Sequence, residues 1–414
     1  MKKFLFILPF FLLTSLYATE KKPAMLFNLN YEDMIDIKKD LKCVSCDKKN
    51  AYAQVINDAD SILKLVPHKV TDGDMPPTGN VHDFFTIGKY AHPNPDTADG
   101  LPYIRKDGIV NPEAFTDRYD LKRYEETTSR VCTLALAWFY SEDEKYAAKA
   151  AELLHVWFIN PETRMNPNFE CAAAQPGKYN GMAIGIIFGS RLVDFLDHIQ
   201  LLTLSDSWTE TDNNNLKSWF NDYQTWLLTS DFGVIESRAN DNTHGTWYAA
   251  QVAAAAIYNN KIELAKSMID KGKMLLSIQV AKSNAQYPDG ALPKEIGRSQ
   301  SFLYSLYGLQ GFCALAGCGK AINYDLWNYE TENGQSIKLA FDFITPYLLE
   351  KKSWKHDTLK GVKEQIPNSL SMLRQAAKEF RTKNLLKAQN HVYKYARKNP
   401  YYLLESENYS NCKQ

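Results

Sequence analysis

The chain has 414 residues, 45% of them hydrophobic, which is ample for a sizeable core. Its 48 basic and 48 acidic side chains cancel, which excludes a basic nucleic-acid binder and leaves any anionic partner to be held by local charges. Tyr and Trp number 24 and 8, and their flat apolar faces with polar tips suit sugar rings as well as helical cores.

The chain opens M-K-K-F-L-F-I-L-P-F-F-L-L-T-S-L-Y-A, two lysines followed by an apolar run that ends in small and polar residues. This pattern predicts a signal peptide over residues 1–18. It implies a secreted or periplasmic protein, with no membrane attachment after cleavage. The remainder, 19–414, reads as one domain. Cys43 and Cys46 form C-V-S-C without a second such pair, which fits a local disulfide or two free thiols better than a zinc site. Seven cysteines leave at least one thiol free, and Cys132 and Cys171 read as core residues.

Residues 67–118 are irregular, dominated by Gly, Pro, Asp and Asn. A connection of this length inside a domain is often a lid or a binding segment. From Ser129 onward the composition is helical up to Ser141-Glu142-Asp143. Glu144 to Phe158 continues as a second helix, with Ala147, Ala151, Leu154 and Phe158 on one side. Further helices are predicted over 181–203, 213–228, 246–258, 261–281, 300–316, 336–350, 368–386 and 387–397. Strand signals are scarce. Helices joined by short loops imply antiparallel pairs, and an all-α ring of such pairs, an α/α toroid, is one closed arrangement of them.

Three segments carry side chains suited to chemistry. R-M-N-P-N-F-E-C-A-A-A-Q-P-G-K-Y-N-G, from Arg164, joins two helices and holds Asn166, Asn168, Gln175 and Tyr179. D-N-T-H-G-T-W-Y-A-A-Q, from Asp241, opens an alanine-rich helix. There His244, Tyr248 and Gln251 recur at i, i+4 and i+7 and share a face at the helix N-terminus. Free N–H groups at such an end favour an anion. Y-P-D-G-A-L-P-K-E-I-G-R-S-Q-S-F-L-Y-S-L-Y-G-L-Q-G, from Tyr287, leads through a turn to Arg298 and a helix bearing Tyr304 and Tyr307. Gly308 and Gly311 share the face of Tyr304 and signal either open space at its ring or close helix packing. An amide, an imidazole, a guanidinium and a phenol result, with no metal motif and no carboxylate spacing that singles out a glycosidase pair.

These segments, together with H-D-F-F and H-P-N-P-D-T-A-D-G-L-P-Y-I-R-K-D-G-I-V-N-P-E, occur in an order that resembles the alginate-lyase superfamily of polysaccharide lyases, including its relatives acting on β-1,4-glucuronan. The resemblance spans roughly residues 75 to 350. It implies an α/α toroid and β-elimination on a 1,4-linked polyuronate, an anionic polysaccharide, with no cofactor and no metal. It implies Asn242, His244, Arg298 and Tyr304 as catalytic residues, and Gln175, Tyr179, Trp247, Tyr248, His82 and Tyr90 as substrate contacts. It also implies a lid over 80–105. Where family members often read N-N-H-G-T-W-Y-D, this chain has Thr243 before His244 and Ala249 after Tyr248. Either Asn242 or Thr243 therefore takes the amide role. The lid reads Y-A-H-P rather than Y-W-W-P, and Tyr307 rivals Tyr304 as the base. A glycoside hydrolase on the same scaffold and a non-catalytic polysaccharide-binding protein are the alternatives.

Overall fold

The computed structural model describes residues 22–23, 25–41, 46–396 and 400–405. The predicted signal peptide, Cys43, Cys412 and the Cys46 side chain lie outside the described residues. Sixteen α-helices are described: α1 (Tyr31–Asp40), α2 (Cys46–Ile62), α3 (Leu121–Ser141), α4 (Glu144–Leu154), α5 (Arg191–Leu202), α6 (Glu210–Thr229), α7 (Asp231–Ser237), α8 (Thr243–Tyr258), α9 (Ile262–Gln279), α10 (Pro293–Ile296), α11 (Ser301–Ala321), α12 (Ile337–Leu348), α13 (Val362–Gln365), α14 (Leu370–Phe380), α15 (Lys383–Ala396) and α16 (Pro400–Glu405).

Local chemistry explains the breaks between them. Glu142 turns left-handed at φ 60° to end α3, and the next residue, Asp143, caps α4 by accepting from Lys145 N–H at 3.1 Å. Thr209 and Asp212 form a capping box at the start of α6. The predicted helix over 144–158 passes into a π turn at His155–Ile159, and the one over 181–203 begins as a 3-10 turn, Ala183–Ser190. Arg381, at φ 50°, separates α14 from α15 a few residues before the expected boundary.

The helices pack as an α/α toroid. The inner members α3, α5, α8 and α11 are buried on most sides, while α4, α6 and α9 keep a polar face outward. Helix α8 lies against α6, α9 and α11, and α3 against α2, α4 and α5. One continuous apolar cluster runs from Phe27 in the N-terminal segment to Leu404 in α16. Every residue of α8 except His244 is buried, so the alanine run is what lets neighbouring helices approach it on all sides.

The irregular span is more structured than its composition suggests. It holds β1 (Phe85–Ile87), β2 (Ala91–His92) and β3 (Ile104–Arg105). Strand β1 pairs in parallel with β4 (Cys171–Ala174), matching Phe85 to Cys171, and β2 pairs antiparallel with β3. Asp120, at the start of α3, accepts the Phe85 N–H at 2.8 Å, and Asn111 donates to the Ala91 carbonyl at 2.7 Å. The lid is thus stitched to the toroid at the level of β1 and hangs its β2–β3 hairpin over the ring. Cys132, Cys171, Cys313 and Cys318 are free thiols.

Candidate active site

A cavity of about 1100 Å³ opens between the β2–β3 hairpin, α3, the start of α5, the N-terminus of α8 and one face of α11. Asn242, His244, Trp247, Arg298, Tyr304, Gln175 and Tyr90 all line it. Residues from four separate segments of the sequence therefore converge on one space.

At the start of α8, Asn242 is the N-cap; its Oδ1 accepts the His244 N–H at 2.9 Å. Its Nδ2 donates to Asp241 at 3.0 Å. A carboxamide has two N–H donors, so one remains for a ligand. Thr243 is different: it is buried, and its hydroxyl and its N–H both donate to Glu295 Oε1, at 2.5 and 2.8 Å. Its hydroxyl proton is already spent. The expected free N–H groups of this helix end are likewise taken, by Glu295 and by the Asn242 side chain. Glu295 is itself the anion that complements the helix terminus.

His244 reaches the cavity on one edge and is held on the other. Its Nδ1 forms a short hydrogen bond with Glu236 of α7, a carboxylate only 3% exposed. With Nδ1 engaged, Nε2 is the nitrogen left for a ligand.

Arg298 follows α10 and is bound by the lid. Its Nη2 and Nε donate to the two carboxylate oxygens of Asp107 at 2.7 and 3.2 Å. Burial acts to raise the Asp107 carboxyl, but hydrogen bonds from Arg298, Arg105 and Ser299 outweigh it and hold it below the ordinary carboxylate range. The guanidinium carbon sits 3.8 Å from the centre of the Tyr304 ring, within range for a cation–π contact. The Tyr304 hydroxyl donates to that of Tyr90 at 2.7 Å. Burial first, and then this hydrogen bond, push the Tyr304 phenol above its usual value, while Arg298 pulls the other way. Tyr307, one turn on, bonds Ser190 at 2.8 Å and stacks on Trp247 at 5.2 Å. Arg298 therefore serves Tyr304 and not its rival.

Three of the expected substrate contacts are displaced. Tyr248 is 3% exposed, is absent from the cavity wall, and donates to the Leu227 carbonyl at 2.8 Å. The shared face of His244, Tyr248 and Gln251 turns inward after its first residue, and Gln251 accepts from Tyr223 at 2.6 Å in the core. His82 lies outside the cavity, its Nδ1 bonded to the Arg164 carbonyl at 2.8 Å, so it pins two loops together. Tyr179 is 47% exposed and outside the lining. Gln175 does line the cavity, but its amide is tied to the Tyr103 carbonyl. Asn166 and Asn168 both donate to Asp83, a structural role.

Gly308 and Gly311 mark close packing and not open space. A Cβ at Gly308 would lie 2.9 Å from Thr243 Oγ1, and one at Gly311 would lie 3.2 Å from Trp247 Nε1.

Glu236, Glu295 and Asp107 were not singled out in the sequence. Asp107 is 191 positions from Arg298, so no local spacing reveals the pair. Glu295 stood within the P-K-E-I-G-R run itself; an acid three residues before an arginine was the available signal. Among the described residues, no group of three or more His, Cys, Asp or Glu side chains is placed to hold a metal ion, and no helix is long and apolar enough to cross a membrane.

Comparison with known proteins gives a consistent result. The family described as Alginate lyase matches residues 70–354. A crystal structure of an alginate lyase from Bacteroides ovatus superposes with a TM-score of 0.84 at 29% identity, covering 93% of this chain and 100% of that one. Alginate lyase A1-III from Sphingomonas species A1 matches with a TM-score of 0.55 at 16% identity, over 89% of this chain and 92% of that one. A histidine-to-alanine variant of alginate lyase A1-III, complexed with a tetrasaccharide, matches with a TM-score of 0.56 at 16% identity, over 89% of this chain and 91% of that one. At that identity the latter two speak to the fold alone. No curated protein sequence matches the chain. Because the family match spans most of the chain and the fold is shared, the chain belongs to the alginate lyase family of polysaccharide lyases.

Proposed function

We propose that the protein cleaves a 1,4-linked polyuronate, polymannuronate or glucuronan, by β-elimination, with Tyr304 as both base and acid. The observation that carries this is the stack of Arg298 on Tyr304 in the same cavity as His244 and Asn242. The C5 proton of a uronate is weakly acidic, because the neighbouring carboxylate resists further negative charge. Donors aimed at that carboxylate stabilise the enolate-like intermediate, each by about 3–4 kcal/mol by analogy with oxyanion-hole donors. Asn242 offers its remaining N–H and Arg298 its cationic charge, while His244, whose Nδ1–H donates to Glu236, offers an Nε2–H donor in its imidazolium form.

The Tyr304 phenolate takes H5, and the electron pair of that C–H bond moves onto C5 and the carboxylate. Collapse forms the C4=C5 bond as the C4–O4 bond breaks, and the proton on Tyr304 passes to O4. In mannuronate and glucuronate, H5 and O4 lie on the same side, so one phenol serves both ends. Guluronate needs a second group on the opposite face. The hydrolase alternative is not favoured by the cavity carboxylates, which carry internal partners: Glu125 with Lys89, Asp194 with Asn28, Glu236 with His244 and Glu295 with Thr243. The N-terminal segment, outside the described residues, fits export to where such polymers are met.

Incubation with polymannuronate, polyguluronate and glucuronan separately tests the reading. A rise in ultraviolet absorbance from conjugated uronate ends is expected with the first or third, and its loss is expected in Tyr304→Phe with polymer binding retained. Chain shortening without that absorbance would establish hydrolysis instead, and binding without any product would establish a non-catalytic protein.

A further inference from the structure

We infer that Asp107 is the positioning residue of Arg298, so that seating the lid and aligning the arginine are a single event. The inference rests on the proposed role of Arg298 and adds a residue that neither the sequence pattern nor the family match assigns.

Asp107 lies just beyond β3, in the turn that follows the strand closing the lid hairpin. Its carboxylate gathers four side-chain hydrogen bonds: Arg298 Nη2 at 2.7 Å, Arg298 Nε at 3.2 Å, Ser299 Oγ at 2.8 Å and Arg105 Nη2 at 2.9 Å. The backbone joins in, with Ser299 Oγ 3.0 Å from the Asp107 carbonyl and Gln300 Nε2 2.6 Å from that of Gly108. Gly108 has φ 75°, and a Cβ there would stand 2.5 Å from Ser299 Oγ, so the approach of lid to toroid depends on this glycine.

The geometry decides what Asp107 does to the arginine. A planar guanidinium offers a two-pronged edge to a carboxylate and fixes its own plane by doing so. Asp107 consumes the Nε–Nη2 edge. Among the described residues Nη1 has no hydrogen-bond partner, and the plane is held against the ring of Tyr304. An Arg298 free of Asp107 would keep its charge but lose both its plane and its register with the phenol. The competing idea, that Asp107 merely occupies the place of a substrate carboxylate, predicts the opposite response to its removal.

The test compares Asp107→Asn, Arg298→Lys and the double variant on the polymer that the wild type cleaves. Asp107→Asn is expected to lower kcat at least about tenfold with KM changed less than about threefold, since orientation and not substrate binding is lost. Lysine cannot present a fork, so Asp107→Asn should cost little further in the Arg298→Lys background. Higher activity in Asp107→Asn, or losses that multiply in the double variant, would overturn the inference. A second readout needs no turnover: in ligand-free protein, Asp107→Asn should speed amide hydrogen exchange across 104–109 and 298–300 relative to wild type. Unchanged exchange there overturns the positioning role. Should the wild type cleave no polyuronate, it is the functional reading that falls, and the exchange comparison still decides whether Asp107 holds Arg298.

Discussion

The hydroxyl of Tyr304 stands 2.7 Å from that of Tyr90, which makes a lid residue the direct partner of the proposed base. That hydrogen bond, after burial, helps keep the Tyr304 phenol protonated. The base must be a phenolate, so its active fraction grows as pH rises. A folded value above the phenol reference of about 10 places the midpoint beyond ordinary assay conditions. The rate, kcat/KM, should therefore climb through the alkaline range and still be rising at about pH 9. Tyr90→Phe removes one of the raising influences and should move this limb to lower pH. A flat profile in the wild type would remove Tyr304 from the role of base.

His244 depends on Glu236 for its orientation. In Glu236→Ala the imidazole loses the carboxylate that fixes its Nδ1, and kcat should fall about 10²-fold or more, as when a triad loses its orienting acid. Glu236→Gln retains an acceptor oxygen and should fall less. Steady-state kinetics on both variants, with melting curves to show that each folds, checks the order of the two losses. Equal losses would show that it is the charge of Glu236, and not its position, that matters.

Tyr248→Phe separates the cavity wall from the core behind it. Among the described residues the hydroxyl bonds only the Leu227 carbonyl, in the interior. Activity should stay within about threefold of wild type while stability drops by about 0.5–1.5 kcal/mol, the net value of one internal hydrogen bond. Urea unfolding and a polymer assay on the same preparation distinguish this from a substrate contact, which would cost activity and spare stability.

Gly308→Ala tests the contact of α8 with α11. Alanine gains about 1 kcal/mol of helix propensity, but the added methyl would meet Leu292 Cδ2 at 2.8 Å and Thr243 Oγ1 at 2.9 Å. Overpacking of this kind costs about 1–3 kcal/mol, so the variant should be less stable overall. Because Thr243 lies between Asn242 and His244, kcat should fall as well. A variant more stable than wild type in chemical denaturation would contradict the packing described here.

Much of this protein was legible before folding. The spacing of apolar residues located helices from Ser129 onward, without telling inner from outer, and the alanine run of α8 announced a helix that neighbours approach closely, because helix periodicity and small side chains are local properties. Residue type drew attention to the segments that hold Asn242, His244, Arg298 and Tyr304, but the order of the motifs and the family resemblance it carries, not local pattern, set these four apart from neighbours such as Tyr307. Helix ends were placed less well, since a left-handed residue such as Arg381 carries no composition signal.

What only the tertiary structure decided are the relationships between those side chains. Asp107 meets Arg298 because the chain drapes a hairpin over the ring, and Glu236 meets His244 because the short connection from α7 to α8 folds one helix end back on the other. The first pairing spans 191 positions and the second only eight, across the break between two helices; neither spacing is a helical or strand period that a sequence reading would pick out. Tertiary packing likewise sent Tyr248 and His82 to structural work although both sit among the site segments. A residue's neighbours along the chain tell which element it belongs to, whereas the direction its side chain faces is settled by what packs against that element.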